Sequence, residues 1–240
     1  MKVETQTVEV EVGFLPEPGA GVPAFAFAGH SEAFAATSAP VRGQPLYAPL
    51  KAAIDCVGAV VLLALLWPIM ATIGLAVLLS SRGGAVYAQR RLGKNGRTFR
   101  MFKFRTMDAD AEASTGPVWA SDKDPRVTLL GRMLRRSRLD ELPQLINVVR
   151  GEMSLVGPRP ERPEIAAQLA LTFPHFDRRL QVKPGITGLS QVSTGYASCL
   201  MTYRRKLALD LEYIERQSFA LDLQIAAKTI LVVLTGFGSR

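Results

Sequence analysis

Asp140 and Glu141 are adjacent carboxylates flanked on one side by Arg132, Arg135, Arg136 and Arg138, and on the other by Arg159, which sits between Pro158 and Pro160. An ionised carboxylate can attack phosphorus or hold a divalent cation, and arginines neutralise the anion it meets. Neighbouring residues on a regular helix diverge by about 100°. Both acids can therefore serve one site only at a helix end, which is where the sequence places them. The plain alternative is that both simply favour a helix start, where the dipole and the arginines stabilise negative charge. The two prolines restrict the backbone around Arg159 and would present its guanidinium with little conformational freedom. Lys103 and Arg105 alternate with Phe102, Phe104 and Thr106, so a strand here would put both cations on one face.

The elements that must position these residues follow from periodicity and punctuation. Residues 98–105 alternate like a strand, between turns at Gly83-Gly84 and at Gly93-Lys94-Asn95-Gly96 on one side and a polar stretch on the other. Leu129 to Arg136 and Asp140 to Arg150 read as helices, the second ended by Gly151. Pro163 suits a first helical position, and that helix should stop before Pro174. Val182 to Gly188 reads as a turn-rich loop. Tyr203 to Gln217 is a charged helix, and Phe219 to Leu234 a largely apolar one able to pack on the body or lie along a membrane surface. Asp122, Asp124, Asp210 and Asp222 read as surface or capping residues.

Ile54 to Leu79 has Asp55 as its only charge and is bracketed by Lys51 and Arg82. A stretch of ~20 apolar residues is long enough to cross a bilayer. Pro68 near its middle leaves two topologies open: a kinked span, or a helix-break-helix hairpin that dips into one leaflet and returns. Arg90, Arg91, Lys94, Arg97 and Arg100 follow closely, and such clusters are retained on the cytoplasmic side. Residues 1–47, rich in Ala, Pro and Gly, read as a disordered tail.

The net charge of +8 over 240 residues is uneven. Residues 1–50 hold two basic and five acidic residues, a net of −3, so the remainder carries +11. Such a body suits a polyanion: nucleic acid, anionic headgroups or a phosphorylated substrate. Cys56 and Cys199 lack metal-ligand spacing, His30 and His175 have no partner pattern, and neither a P-loop nor a dinucleotide fingerprint is present. Histidine-based catalysis and zinc binding are disfavoured.

Several blocks occur in a characteristic order: Lys51, Asp55 and Pro68 in the apolar segment; Gln89 to Gly93; Phe102 to Met107; Asp124 to Thr128; Leu139 to Gly151; Met153 to Pro160; and Pro184 to Gly188. Together they resemble the bacterial sugar transferase family, the monotopic phosphoglycosyltransferases, over roughly residues 48–240. The resemblance implies an α+β, mainly helical fold with surface amphipathic helices and a short β element. It implies a re-entrant membrane hairpin over 48–82 broken at the proline, and a cytoplasmic catalytic domain over 83–240 at the bacterial inner membrane. It further implies transfer of a sugar 1-phosphate from a nucleoside diphosphate sugar, first UDP-glucose or UDP-galactose, to undecaprenyl phosphate, starting exopolysaccharide assembly. Asp140 would be the nucleophile, Asp140 and Glu141 would hold Mg2+, Arg159 would bind phosphate, and Lys103, Arg105 and Arg138 would surround the site. Nucleic acid is not an expected partner. The competing class is a non-catalytic basic membrane protein that binds anionic lipid or nucleic acid through residues 82–138.

Overall fold

The computed structural model describes residues 47–81, 83–108, 111, 124–194 and 200–235. The expected tail before residue 47 and the positions Arg82, Asp122 and Cys199 lie outside them. The elements run α1 (Tyr47–Ser80), β1 (Val86–Leu92), β2 (Thr98–Phe104), α2 (Leu129–Arg136), a 3-10 turn (Leu139–Glu141), α3 (Gln144–Val149), β3 (Ser154–Val156), α4 (Pro163–Thr172), a 3-10 segment (Phe176–Gln181), β4 (Gly185–Thr187), α5 (Leu189–Ser193), α6 (Leu200–Arg216) and α7 (Phe219–Thr235). The fold is α+β and mainly helical, as expected.

α1 is 34 residues long, with Pro68 inside it. The break expected at Pro68 is therefore not an interruption of helical structure. Proline removes one backbone donor, and the helix continues past it with the Thr72 hydroxyl donating to the Pro68 carbonyl at 2.9 Å. Tyr47, Lys51, Asp55, Ala59, Ile73 and Val77 are buried, and Leu63, Leu66 and Met70 pack partly into the clusters between them. Successive members are three or four residues apart, which is one stripe along one face. Leu50, Val57, Val61, Leu65, Trp67, Leu75 and Leu79 stay exposed on the rest of the surface. The first half of the stripe meets Phe99, Met101, Leu145 and Val148, and the second half meets Phe104 and Leu134.

Two small sheets brace the body. β1 and β2 pair antiparallel, Tyr87 opposite Lys103 and Arg90 opposite Arg100. The other edge of β2 is held by Asn147 of α3, which is fully buried. Its amide oxygen accepts from the Phe102 N–H at 3.0 Å, and its amide nitrogen donates to the Arg100 carbonyl at 2.7 Å. One side chain thus takes the place of a third strand, satisfying backbone groups that would cost ~1–3 kcal/mol each if buried unpaired.

β3 and β4 pair parallel, Ser154 with Gly185 and Val156 with Thr187. This corrects the loop expected over Val182 to Gly188. The pairing requires close backbone approach: a Cβ on Gly185 would sit 2.1 Å from the Gly157 nitrogen. The expected continuous helix from Asp140 to Arg150 is likewise split. Leu139–Glu141 is a 3-10 turn, and α3 begins only after Pro143, which has no N–H to continue the ladder. Helices α2, α4, α6 and α7 fall within a few residues of their expected bounds.

Asp210 and Asp222, expected at the surface or at caps, are buried, as is Asp124. Asp222 accepts from Tyr47 at 2.7 Å and Tyr213 at 2.8 Å and pairs with Lys51 at 2.5 Å. Asp55 accepts from the Ser154 hydroxyl at 2.6 Å. The start of α1 is thereby bolted to α7 and β3.

Candidate active site

Arg138 shapes the site through its backbone. It adopts the left-handed conformation at φ 60°, uncommon for a side chain with a Cβ, and so turns the chain sharply between α2 and the 3-10 turn. Asp140 and Glu141 follow at once, only 6 % and 7 % exposed. Both acids face inward from one irregular turn, as the sequence argument required. Leu139 and Leu142 flank them and pack beside Ile73 and Val77 of α1.

Lys103 enters from β2 and stands between the two acids, its Nζ 2.9 Å from Glu141 Oε1 and 3.9 Å from Asp140 Oδ2. Arg159 arrives from the turn after β3 and clasps Glu141 with both arms, Nη2 to Oε1 at 2.7 Å and Nη1 to Oε2 at 3.2 Å. This planar fork on a carboxylate is the arrangement for which arginine is suited. Of the expected residues, the structure brings together Asp140, Glu141, Lys103, Arg138 and Arg159. The Arg105 guanidinium lies over Gly83, in space a Cβ would occupy.

The two acids are driven apart in basicity. Burial would raise Glu141, but the Arg159 guanidinium and the Lys103 ammonium outweigh it and hold Glu141 well below the ordinary carboxylate range. Burial dominates at Asp140, and with Glu141 beside it the Asp140 carboxyl is raised despite Lys103 and Arg159. Burial also lowers Lys103 and Arg138 from their usual values. No hydrogen bond among the described residues reaches the Asp140 carboxylate, whereas Glu141 receives three. Paired carboxylates with opposite shifts mark a division of labour. Glu141 organises cations, and Asp140 is the more basic, uncommitted oxygen donor.

Sequence reasoning passed over Arg135 and Thr106 individually. Arg135 Nε donates to the Thr106 hydroxyl at 2.9 Å, and its charge is felt at Asp140. Both lay in stretches already noted, an arginine cluster and a strand end, but nothing local signalled that they meet across 29 residues.

Residues 46–236 match the bacterial sugar transferase family. The chain belongs to that family. Among curated relatives, a UDP-N-acetylgalactosamine-undecaprenyl-phosphate N-acetylgalactosaminephosphotransferase of Aeromonas hydrophila is 42% identical over 197 residues, covering 82% of this chain and 46% of the relative. A UDP-glucose:undecaprenyl-phosphate glucose-1-phosphate transferase of Xanthomonas campestris pv. campestris is 43% identical, covering 77% of this chain and 38% of the relative. One of the same description from Caulobacter vibrioides is 40% identical, covering 77% of this chain and 70% of the relative. This sugar transferase chain thus spans less than half the length of the first two.

Proposed function

We propose that the protein transfers a sugar 1-phosphate from a UDP-sugar to undecaprenyl phosphate through a covalent intermediate on Asp140. The observation that carries this reading is the Asp140 carboxylate, buried, raised in basicity and uncommitted, beside a second carboxylate saturated by cations. An Asp140 oxygen attacks the sugar-bearing phosphorus, the bond from that phosphorus to the bridging oxygen breaks, and UMP leaves with the electron pair. An oxygen of the lipid phosphate then attacks the same phosphorus, and the bond to Asp140 breaks to restore the carboxylate. One difficult displacement becomes two easier ones. Lys103 and Arg159, already beside the two acids, would neutralise the phosphate oxygens that otherwise repel an incoming carboxylate.

Asp140 and Glu141 fit a magnesium ion. That cation is ordinarily held by one or two carboxylates together with substrate phosphates and water. Among the described residues no hydrogen bond reaches the Asp140 carboxylate, and Glu141 Oε2 accepts from Arg159 Nη1 alone. When bound, the ion would supply charge neutralisation at the diphosphate. Among the described residues no group of three or more His, Cys, Asp and Glu is placed to form an all-protein cage.

The lipid acceptor fits the position of the site. Leu139 and Leu142 seat Asp140 on the second half of α1, whose remaining surface is apolar and exposed. The body packs along α1 from Tyr47 to Val77. Were the helix to span a layer ~30 Å thick, much of this charged body would be drawn in with it. An α1 lying within one leaflet keeps the site at the headgroup layer, with the body on the cytoplasmic side of the inner membrane. A hexose donor, UDP-glucose or UDP-galactose, is the first choice, with exopolysaccharide initiation as the role. The test is a panel of UDP-sugars, including UDP-N-acetylgalactosamine, with undecaprenyl phosphate and Mg2+. UMP release from one of them is expected; release of UDP instead would show transfer of the sugar without its phosphate.

A further inference from the structure

We infer that Arg179 is a positioning residue for this reaction, holding the Pro158-Arg159-Pro160 turn from beneath so that the Arg159 guanidinium stays aimed at Glu141 and the donor phosphate. The inference rests on the function proposed above. Two of the turn's three residues are prolines without an N–H, so the turn must be fixed largely through its carbonyls. Four successive carbonyls are fixed. Pro158 O accepts from Gly185 N at 3.0 Å and Glu161 O from Leu92 N at 2.9 Å, backbone bonds supplied by β4 and β1. Between them, Pro160 O accepts from Arg91 Nη1 at 3.1 Å and Arg159 O from Arg179 Nη2 at 2.8 Å.

Arg179 is only 5 % exposed, and both of its terminal guanidinium nitrogens are engaged, while Nε has no hydrogen-bond partner among the described residues. Its Nη2 lies 2.8 Å from Asp210 Oδ2 of α6. Its Nη1 donates to the Tyr203 hydroxyl at 3.2 Å, and its guanidinium lies 5.1 Å from the centre of the Phe176 ring. Glu161, directly after the turn, is pinned by Lys206 at 2.6 Å and by Tyr203 at 3.2 Å. A chain of short contacts therefore runs from α6 through Arg179 to the carbonyl of Arg159, whose side chain clasps Glu141. Among the described residues Arg179 makes no hydrogen bond or ion pair with Asp140, and it acts through Arg159. A lysine at 179 would keep one charge but lacks the planar fork that reaches Asp210, Tyr203 and the Arg159 carbonyl together.

The experiment measures kcat/KM for UMP release in wild type, Arg179→Lys, Arg159→Lys and the double variant, with Tm for each. Arg179→Lys is expected to lose roughly tenfold in kcat/KM, in line with small misplacements of a binding group. The double variant should then be within about twofold of Arg159→Lys alone, because residues acting through one another are non-additive. Wild-type kcat/KM in Arg179→Lys, or losses that multiply in the double variant, overturns the inference. If Arg179→Lys proves unstable, Asp210→Asn loosens Arg179 without removing it. Its smaller loss should vanish on the Arg159→Lys background, and an equal loss on both backgrounds overturns the inference. A wild-type protein that releases UMP from no donor refutes the proposed function instead. The same four proteins are then scored by calorimetric binding of inorganic pyrophosphate, with the same non-additivity expected.

Discussion

Two buried charge clusters lie at opposite ends of the body's contact with α1, and they are finished differently. At the first turns of α1, Lys51, Asp55 and Asp222 are neutralised and hydrogen-bonded by one another and by Tyr47, Tyr213 and Ser154. Beside the second half of α1, Glu141 is equally saturated, yet Asp140 has no hydrogen bond among the described residues, and Lys103 stands 3.9 Å from it. Burying a carboxylate without partners is expensive, and a structural cluster has no reason to bear that cost. The completed cluster fastens the fold; the incomplete one leaves open the oxygen on which the proposed reaction depends.

The sharpest way to break this contrast is to remove each cluster's central acid. Asp140→Asn should lower UMP release by at least ~10³-fold, the scale of losing a nucleophile. Its Tm should hold or rise, because a buried charge that lacked hydrogen bonds has been deleted. A large drop in Tm would mean Asp140 is structural after all. Asp222→Ala should do the reverse. It strips the closest partner from Lys51 and an acceptor from both Tyr47 and Tyr213, and breaking such a buried pair costs about 3–5 kcal/mol. Urea unfolding should show that loss, with kcat per folded molecule within about twofold of wild type.

Acid should separate the clusters more gently. Asp140 is raised, so its reactive carboxylate is protonated as pH falls while still above the ordinary aspartate value of 3.8. Glu161, whose burial is overcome by Lys206 and Arg179, is lowered from 4.5 to about 2. Its stabilisation is fully present above 4.5 and disappears as pH falls toward about 2. That contribution is about 3 kcal/mol as an order of magnitude. Activity should therefore fail at higher pH than the fold does, measured as kcat/KM and ellipticity across one titration; coincident midpoints would contradict the assignment. The smallest effect is expected at an exposed pair. Arg178→Ala, which breaks a 3.0 Å contact with Glu215, should cost less than ~0.5 kcal/mol and leave UMP release unchanged.

Much of this was legible beforehand. Helices α2, α4, α6 and α7 announce themselves by periodicity, Pro163 and Pro174, and the Asp140-Glu141 turn follows from the need for an irregular backbone at a helix start. What stayed hidden depends on partners far away in sequence. Asp222 reads as a surface acid until Lys51 arrives from 171 positions upstream, and Asp210 until Arg179 folds beneath it. The three-residue strand Gly185–Thr187 carries no pattern of its own and exists only because Ser154–Val156 pairs with it. The split at Pro143 was visible in the sequence and was outweighed by the apolar run around it.

The central claim is that Asp140 becomes covalently attached to a sugar phosphate. Intact-protein and peptide mass spectrometry after acid quench, with UDP-sugar and Mg2+ but no lipid acceptor, tests it directly. An added sugar phosphate mass is expected on the peptide containing Asp140, formed with UMP and discharged when undecaprenyl phosphate is supplied. Full turnover by Asp140→Asn, or wild-type turnover with the adduct mapped to another residue, would contradict it.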